Sequence, residues 1–226
     1  LLYWFVFEFG LHQKVNDLRT GIEVPFVLWL MGGLVPWFYF QEALNGGTGV
    51  LDEYSYLVKK VVFQIDALPV VKLISALFTH AFFVVFMLVV FAVMGFYPDL
   101  YVLQVVYYSF CMVTFTAGLI YATSAVTVFF RDMKEVVAIL LQIGMWVTPI
   151  MWNFESMQGI PKWAVVLLKL NPMYYIVSGY RDALINKTAF WEHPGLTLWF
   201  WGITLFTLWA GTTVFKRLRV HFADVL

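Results

Sequence analysis

The sequence predicts an all-α integral membrane protein with six transmembrane helices, the first of them truncated. Three observations lead there. The 226 residues are 62% hydrophobic and only 12% charged, with a mean hydropathy of +0.81, against roughly 45–50% and 25% in soluble domains. The apolar residues fall in long runs free of charge, such as Leu73–Pro98 and Leu100–Phe130. Lysines and arginines collect at the ends of those runs, as expected of segments that cross a bilayer. Long unbroken runs point to helices, because barrel strands would be short and alternating.

The elements follow in order. Leu1–Phe7 is apolar but short of the ~20 residues a span needs. It is expected to be the tail of a first span, residues 1–10, of a chain whose N-terminus is missing; it lacks the basic region and cleavage site of a signal peptide. Val24–Gln41 predicts span two, residues 24–43. The connection Glu42–Val71 opens on the glycine-rich Asn45–Gly49 and continues as Val50–Phe63, where Asp52, Glu53, Lys59 and Lys60 punctuate Leu51, Tyr54, Leu57 and Val58. That spacing predicts an amphipathic helix over residues 50–63. Spans three to six are expected at 72–96, 100–128, 135–153 and 195–215. Between the last two, Trp163–Leu170 and Met173–Ile185 are apolar yet too short to span, and Pro161 and Pro172 suit first helical turns. They predict two short re-entrant helices within 160–186. No internal repeat is visible, so the chain reads as a single transmembrane domain.

Basic residues alternate between two sets of connections. One set holds Lys59, Lys60, Lys72, Arg131, Lys134, Lys216, Arg217 and Arg219; the other holds Lys14, Arg19, Lys162, Lys169, Arg181 and Lys187. Lys216–Arg219 directly follows a span and places the C-terminus in the cytoplasm by the positive-inside rule. With six spans the N-terminus lies there too, and the external side carries the re-entrant helices.

Several function classes fall away. The net charge is zero, which gives no footing for nucleic acid. Cys111 is the only cysteine, and His12, His80, His193 and His221 are scattered, so no metal site is predicted. Gly46, Gly47 and Gly49 are not followed by Gly-Lys-Ser/Thr, so there is no phosphate-binding loop and the chain is expected not to hydrolyse ATP by itself. The spans lack the buried carboxylates of ion-coupled carriers; Glu8 is the exception, near the end of span one. A pathway driven by a partner is favoured. His80 is either an intramembrane functional group or a histidine bonded to a neighbouring helix.

Aromatic residues make up 20% of the chain. Phe78, Phe82 and Phe86 recur every four residues and share a helix face; Trp29 and Trp37, flanking Gly33, do the same in span two. With Phe38, Tyr121 and Trp146 they are candidates for lining a transport path, since aromatic faces pack on sugars and lipid tails. The competing reading is packing and an interfacial belt. Arg181–Asp182 is a charge pair in an apolar segment and needs partners to offset desolvation. It is either a structural clamp or a contact to an anionic substrate.

Three stretches carry a resemblance. Gly33–Phe40 followed by Leu57–Phe63 and Leu68–Pro69, then Phe130–Glu135 with Thr148–Ile150, then Asn171–Tyr175 with Gly179–Asp182, resemble in order the second span, cytoplasmic loop, fourth loop, fifth span and external segment of ABC type-2 permeases that export polysaccharides. Many relatives carry proline where this chain has Gln64. Within the family the chain is most similar to permeases for wall teichoic acid, with exporters of O-antigen and capsular polysaccharide as the alternative. The resemblance implies a homodimer in a bacterial cytoplasmic membrane, joined by two copies of a separate ATPase that binds ATP and magnesium, and an undecaprenyl-diphosphate-linked polymer as cargo. It further implies that residues 50–63 form a coupling helix, with Asp52, Glu53, Tyr56, Lys59 and Lys60 contacting the ATPase.

Overall fold

A computed structural model describes residues 15–16, 23–58, 64–152 and 159–225. The described residues are helical almost throughout. A two-residue antiparallel pair, β1 (Val15–Asn16) with β2 (Glu23–Val24), precedes the helices. The predicted end of span one, residues 1–10, lies outside the described residues.

Helix α1 is Phe26–Thr48. It runs past the predicted end of span two and takes in most of the glycine-rich stretch expected to be loop. Gly47 sits where the helix meets its neighbour closely: a Cβ there would lie 2.6 Å from Ile120. Two short helices follow, α2 (Val50–Glu53) and α3 (Ser55–Val58). Over residues 50–58 they stand in place of the single helix predicted over 50–63, whose residues 59–63 lie outside the described residues. The break falls at Tyr54, outside helical geometry at φ −107° and ψ 29°, next to Ser55, a residue whose hydroxyl competes for backbone partners inside a helix.

Helix α4 is Ala67–Val93 and starts before the predicted residue 72, with Pro69 in its first turn where a missing N–H costs nothing. Gly95, at φ 88°, makes the reversal after it. The Asp99 carboxylate then accepts from the Tyr101 amide and caps a 3-10 turn, Leu100–Leu103. That turn leads into α5, Gln104–Phe129. Helix α6, Met133–Val147, has 15 residues and stops short of the predicted 135–153. Pro149 is the cause: its ring disfavours helical geometry in the preceding residue, and Thr148 is extended at ψ 129°.

Helices α7 (Lys162–Leu170) and α8 (Pro172–Arg181) occupy the two short apolar segments, and a π-helical turn, Asp182–Asn186, extends α8. The Asn171 side chain caps α8 by accepting from the Met173 amide. Helix α9 is Pro194–Leu218, followed by a 3-10 turn (Arg219–His221) and α10 (Phe222–Val225). Among the described residues, three segments are long and apolar enough to cross a membrane: Ala67–Val93, Leu100–Phe129 and Pro194–His221.

The main core gathers α1, α4, α5, α8 and α9 around Trp37, Tyr39, Tyr108, Tyr180 and Phe200. Helices α7 and α8 differ sharply. Helix α8 is buried along nearly its whole length, whereas α7 buries no residue and exposes Trp163, Val166 and Leu167. A second, smaller core joins Val50 and Leu51 of α2 to Leu68, Ala125, Val128, Phe215 and Phe222.

Candidate functional site

Two places in the bundle gather the residues singled out in the sequence. The first is the centre of the α1–α6–α8 junction. The break after α6 frees the carbonyls of Pro149 and Ile150 from helical partners. Arg181, only 8% exposed, supplies them: Nη1 donates to the Pro149 carbonyl at 2.7 Å and Nη2 to the Ile150 carbonyl at 2.9 Å. Its Nε donates to the Trp29 carbonyl at 3.3 Å, and the guanidinium lies 3.3 Å from the centre of the Trp29 ring. The planar guanidinium suits this fork, because its donors diverge in one plane while its face stacks on an aromatic ring. Gly32 and Gly33 leave room for it; a Cβ on Gly33 would meet Nη2 at 2.8 Å. Asn171 adds a second tie, donating from Nδ2 to the Thr148 hydroxyl at 2.8 Å. Asp182 accepts from Asn186. Arg181 thus ties α8 to α1 and to the segment after α6.

A polar network holds α8 on its other side. The Tyr180 hydroxyl lies 2.6 Å from Ser109 and 2.9 Å from His80 Nε2, and Tyr39 meets the His80 ring edge-on. The Tyr175 hydroxyl bonds Tyr107 and Thr197, and Trp201 Nε1 donates to Tyr107. His80 is thus bonded to neighbouring helices.

The second place is one end of the bundle. Asp52 pairs with Lys134 at 2.7 Å, at the start of α6, and Glu53 pairs with Lys72 at 2.8 Å, in α4. Lys72 also sits over the Tyr54 ring. Arg219 binds the Asp66 carboxylate. Lys72 and Lys134, both from one of the two basic sets, therefore meet at α2, and Arg219 of the same set binds just before α4. Asp52 and Glu53 turn to their own chain, while Tyr56 is exposed and free to meet another surface. Lys59 and Lys60 lie outside the described residues. On the opposite set, Lys187 pairs with Asp99 at 3.0 Å.

The aromatic path candidates divide. Phe78, Phe82 and Phe86 project from an exposed face of α4, and Phe38 is exposed beside Phe83. Trp146 is exposed on α6. Trp29 and Trp37 are buried in the core, because Arg181 stacks on one and Gly144 packs against the other; neither shares the surface of the phenylalanines. Tyr121 is half-buried, donating to the Asp66 carbonyl and meeting Phe215 edge-on. Sequence reasoning missed Asp66, Phe222 and the paired Gly118 and Gly211. Only the glycines carried a signal, as small residues within long apolar spans. Among the described residues, no cluster of histidine, cysteine or acidic side chains is arranged to hold a metal.

Residues 1–185 match the ABC-2 type transporter family. Over 99% of its length the chain is 26% identical to the O-antigen export system permease protein RfbA of Myxococcus xanthus, covering 82% of that protein. Its namesake from Klebsiella pneumoniae is 25% identical over 100% of the chain and 82% of its own. The polysialic acid transport protein KpsM of Escherichia coli is 26% identical over 88% of the chain and 75% of its own.

Proposed function

Because the chain belongs to the ABC-2 type transporter family, we propose that it is the membrane permease of a bacterial polysaccharide exporter driven by a separate ATPase. The observation that carries this reading is likeness along nearly the whole chain to permeases named for O-antigen and polysialic acid. Those names favour the O-antigen or capsular alternative over wall teichoic acid. The cargo is then an undecaprenyl-diphosphate-linked polymer. Two copies of the chain enclose its path, and two copies of the ATPase, binding ATP and magnesium, sit at the cytoplasmic end with the C-terminus.

The geometry supports a route for the stroke. An ATPase pressing on residues 50–58 loads Asp52–Lys134 and Glu53–Lys72, and hence the first turn of α6 and the second turn of α4. Helix α6 is a rod of about 22 Å at 1.5 Å per residue. Its far end is the Pro149–Ile150 segment held by Arg181, so its motion reaches α8 and α1. A partner shifts this equilibrium only by binding one arrangement more tightly. The exposed Phe78–Phe82–Phe86 face offers weak, repeated contacts to a sliding polymer.

The test is ATP hydrolysis by the reconstituted complex. Lipid-linked O-polysaccharide is expected to stimulate it several-fold and lipid-linked teichoic acid precursor to leave it unchanged. The reverse pattern would return the reading to teichoic acid, and silence toward both would remove polysaccharide export.

A further inference from the structure

We propose that the C-terminal turn, Arg219–Phe222, is a latch that holds residues 50–53 in place for their partner. Phe222 is fully buried and belongs to the same small core as Val50 and Leu51. Its ring meets Phe215 edge-on, with centroids 5.5 Å apart, and packs near Phe129. Phe215 in turn meets Tyr121 edge-on at 5.2 Å. The Tyr121 hydroxyl donates to the Asp66 carbonyl at 3.0 Å, and the Asp66 carboxylate binds Arg219, three residues before Phe222. The contacts close a ring through α9, α5 and the start of α4.

The chemistry of the turn divides the work. Lys216, Arg217 and His221 are exposed and Val220 projects outward, whereas Phe222 points in. A segment of four residues cannot hold itself as α2 does; an isolated helix needs roughly 12–15 residues to be even marginal in water. Its order comes from the Asp52–Lys134 and Glu53–Lys72 pairs and from packing, and the small core is where Val50 and Leu51 pack. Besides Val50 and Leu51, Phe222 is the buried residue of that core carried by a four-residue helix rather than by α4, α5 or α9, so Phe222→Ala empties a place in the core without altering a long helix. Arg219–Asp66 is half-exposed and fixes the approach of the turn more than its strength.

The test compares Phe222→Ala and Phe222→Leu by hydrogen exchange on the full-length chain in lipid nanodiscs. Phe222→Ala is expected to speed exchange across 50–58 at least tenfold while peptides of α5 and α8 keep their protection; Phe222→Leu restores most of it. Arg219→Asp is expected to give a smaller local rise that Asp66→Arg, added to it, reverses. Unchanged exchange at 50–58 overturns the latch, as does a rise spread equally over α5 and α8. A second arm rests on the proposed export function. With the ATPase bound, Phe222→Ala is expected to keep ATP hydrolysis but lower polymer exported per ATP at least fivefold. Full coupling despite local loosening overturns the positioning role. If the unaltered complex exports nothing, the export reading fails while the exchange arm still decides the latch.

Discussion

Arg181→Ala is expected to destabilise the bundle by about 3–5 kcal/mol, the range for removing one partner from a buried charged constellation. Three carbonyls lose their donor at once, two of them in the irregular segment after α6 where no helical bond replaces it. Orphaned buried acceptors cost about 1–3 kcal/mol each, and the stacked Trp29 contact contributes up to about 2 kcal/mol more. Relief of the arginine's own desolvation offsets part of the sum. Interhelical hydrogen bonds in membranes average only about 0.6 kcal/mol, but those are single neutral bonds, whereas this is one cation serving three acceptors. In a thermal melt of the detergent-solubilised chain the loss corresponds to a drop of roughly 10 °C. Arg181→Lys is expected to recover less than half, since an ammonium cannot satisfy three divergent carbonyls and stack as well. An alanine variant that melts with the parent protein would show that the clamp holds nothing.

Gly211→Leu is expected to be as damaging for a different reason. Helices α5 and α9 touch backbone to backbone: a Cβ on Gly211 would overlap the Gly118 carbonyl oxygen, and one on Gly118 would lie 2.7 Å from the Leu208 amide nitrogen. Overpacking against side chains costs about 1–3 kcal/mol because rotamers give way; here backbone must move, so the cost is expected to be about 3 kcal/mol or more. Gly202, on the same helix, would have no atom within 4 Å of a Cβ, and Gly202→Leu is expected to leave the melt unchanged. Equal behaviour of the two variants would contradict the close crossing.

The difference between these two glycines explains what the sequence could and could not tell. Both lie in an apolar run, and both read as span residues; only the partner helix distinguishes them. The long helices were legible because composition and unbroken apolar length are local properties. The sequence predicts α6 longer than it is because hydropathy continues through Thr148 and Pro149, while the backbone geometry that stops the helix depends on one ring. The glycine-rich Asn45–Gly49 has the composition of a loop, yet Gly47 lies within α1 and packs against Ile120. Arg181 stood out as a charge among apolar residues, which predicts partners without naming them, and its partners proved to be main-chain carbonyls that every residue carries. Trp29 and Trp37 have the spacing of Phe78 and Phe86, but spacing fixes a face and not what covers it. Asp52 and Glu53 were recognisable as the acidic edge of the mixed segment; that Lys134 and Lys72 meet them is long-range information.

The most direct measurement of the central claim is transport in proteoliposomes carrying the purified chain, with and without its ATPase, supplied with lipid-linked O-polysaccharide. Polymer is expected to reach the opposite leaflet only when the ATPase and hydrolysable ATP are both present. Transfer by the permease alone, or an assembled complex that hydrolyses ATP and moves no polymer, would contradict the account.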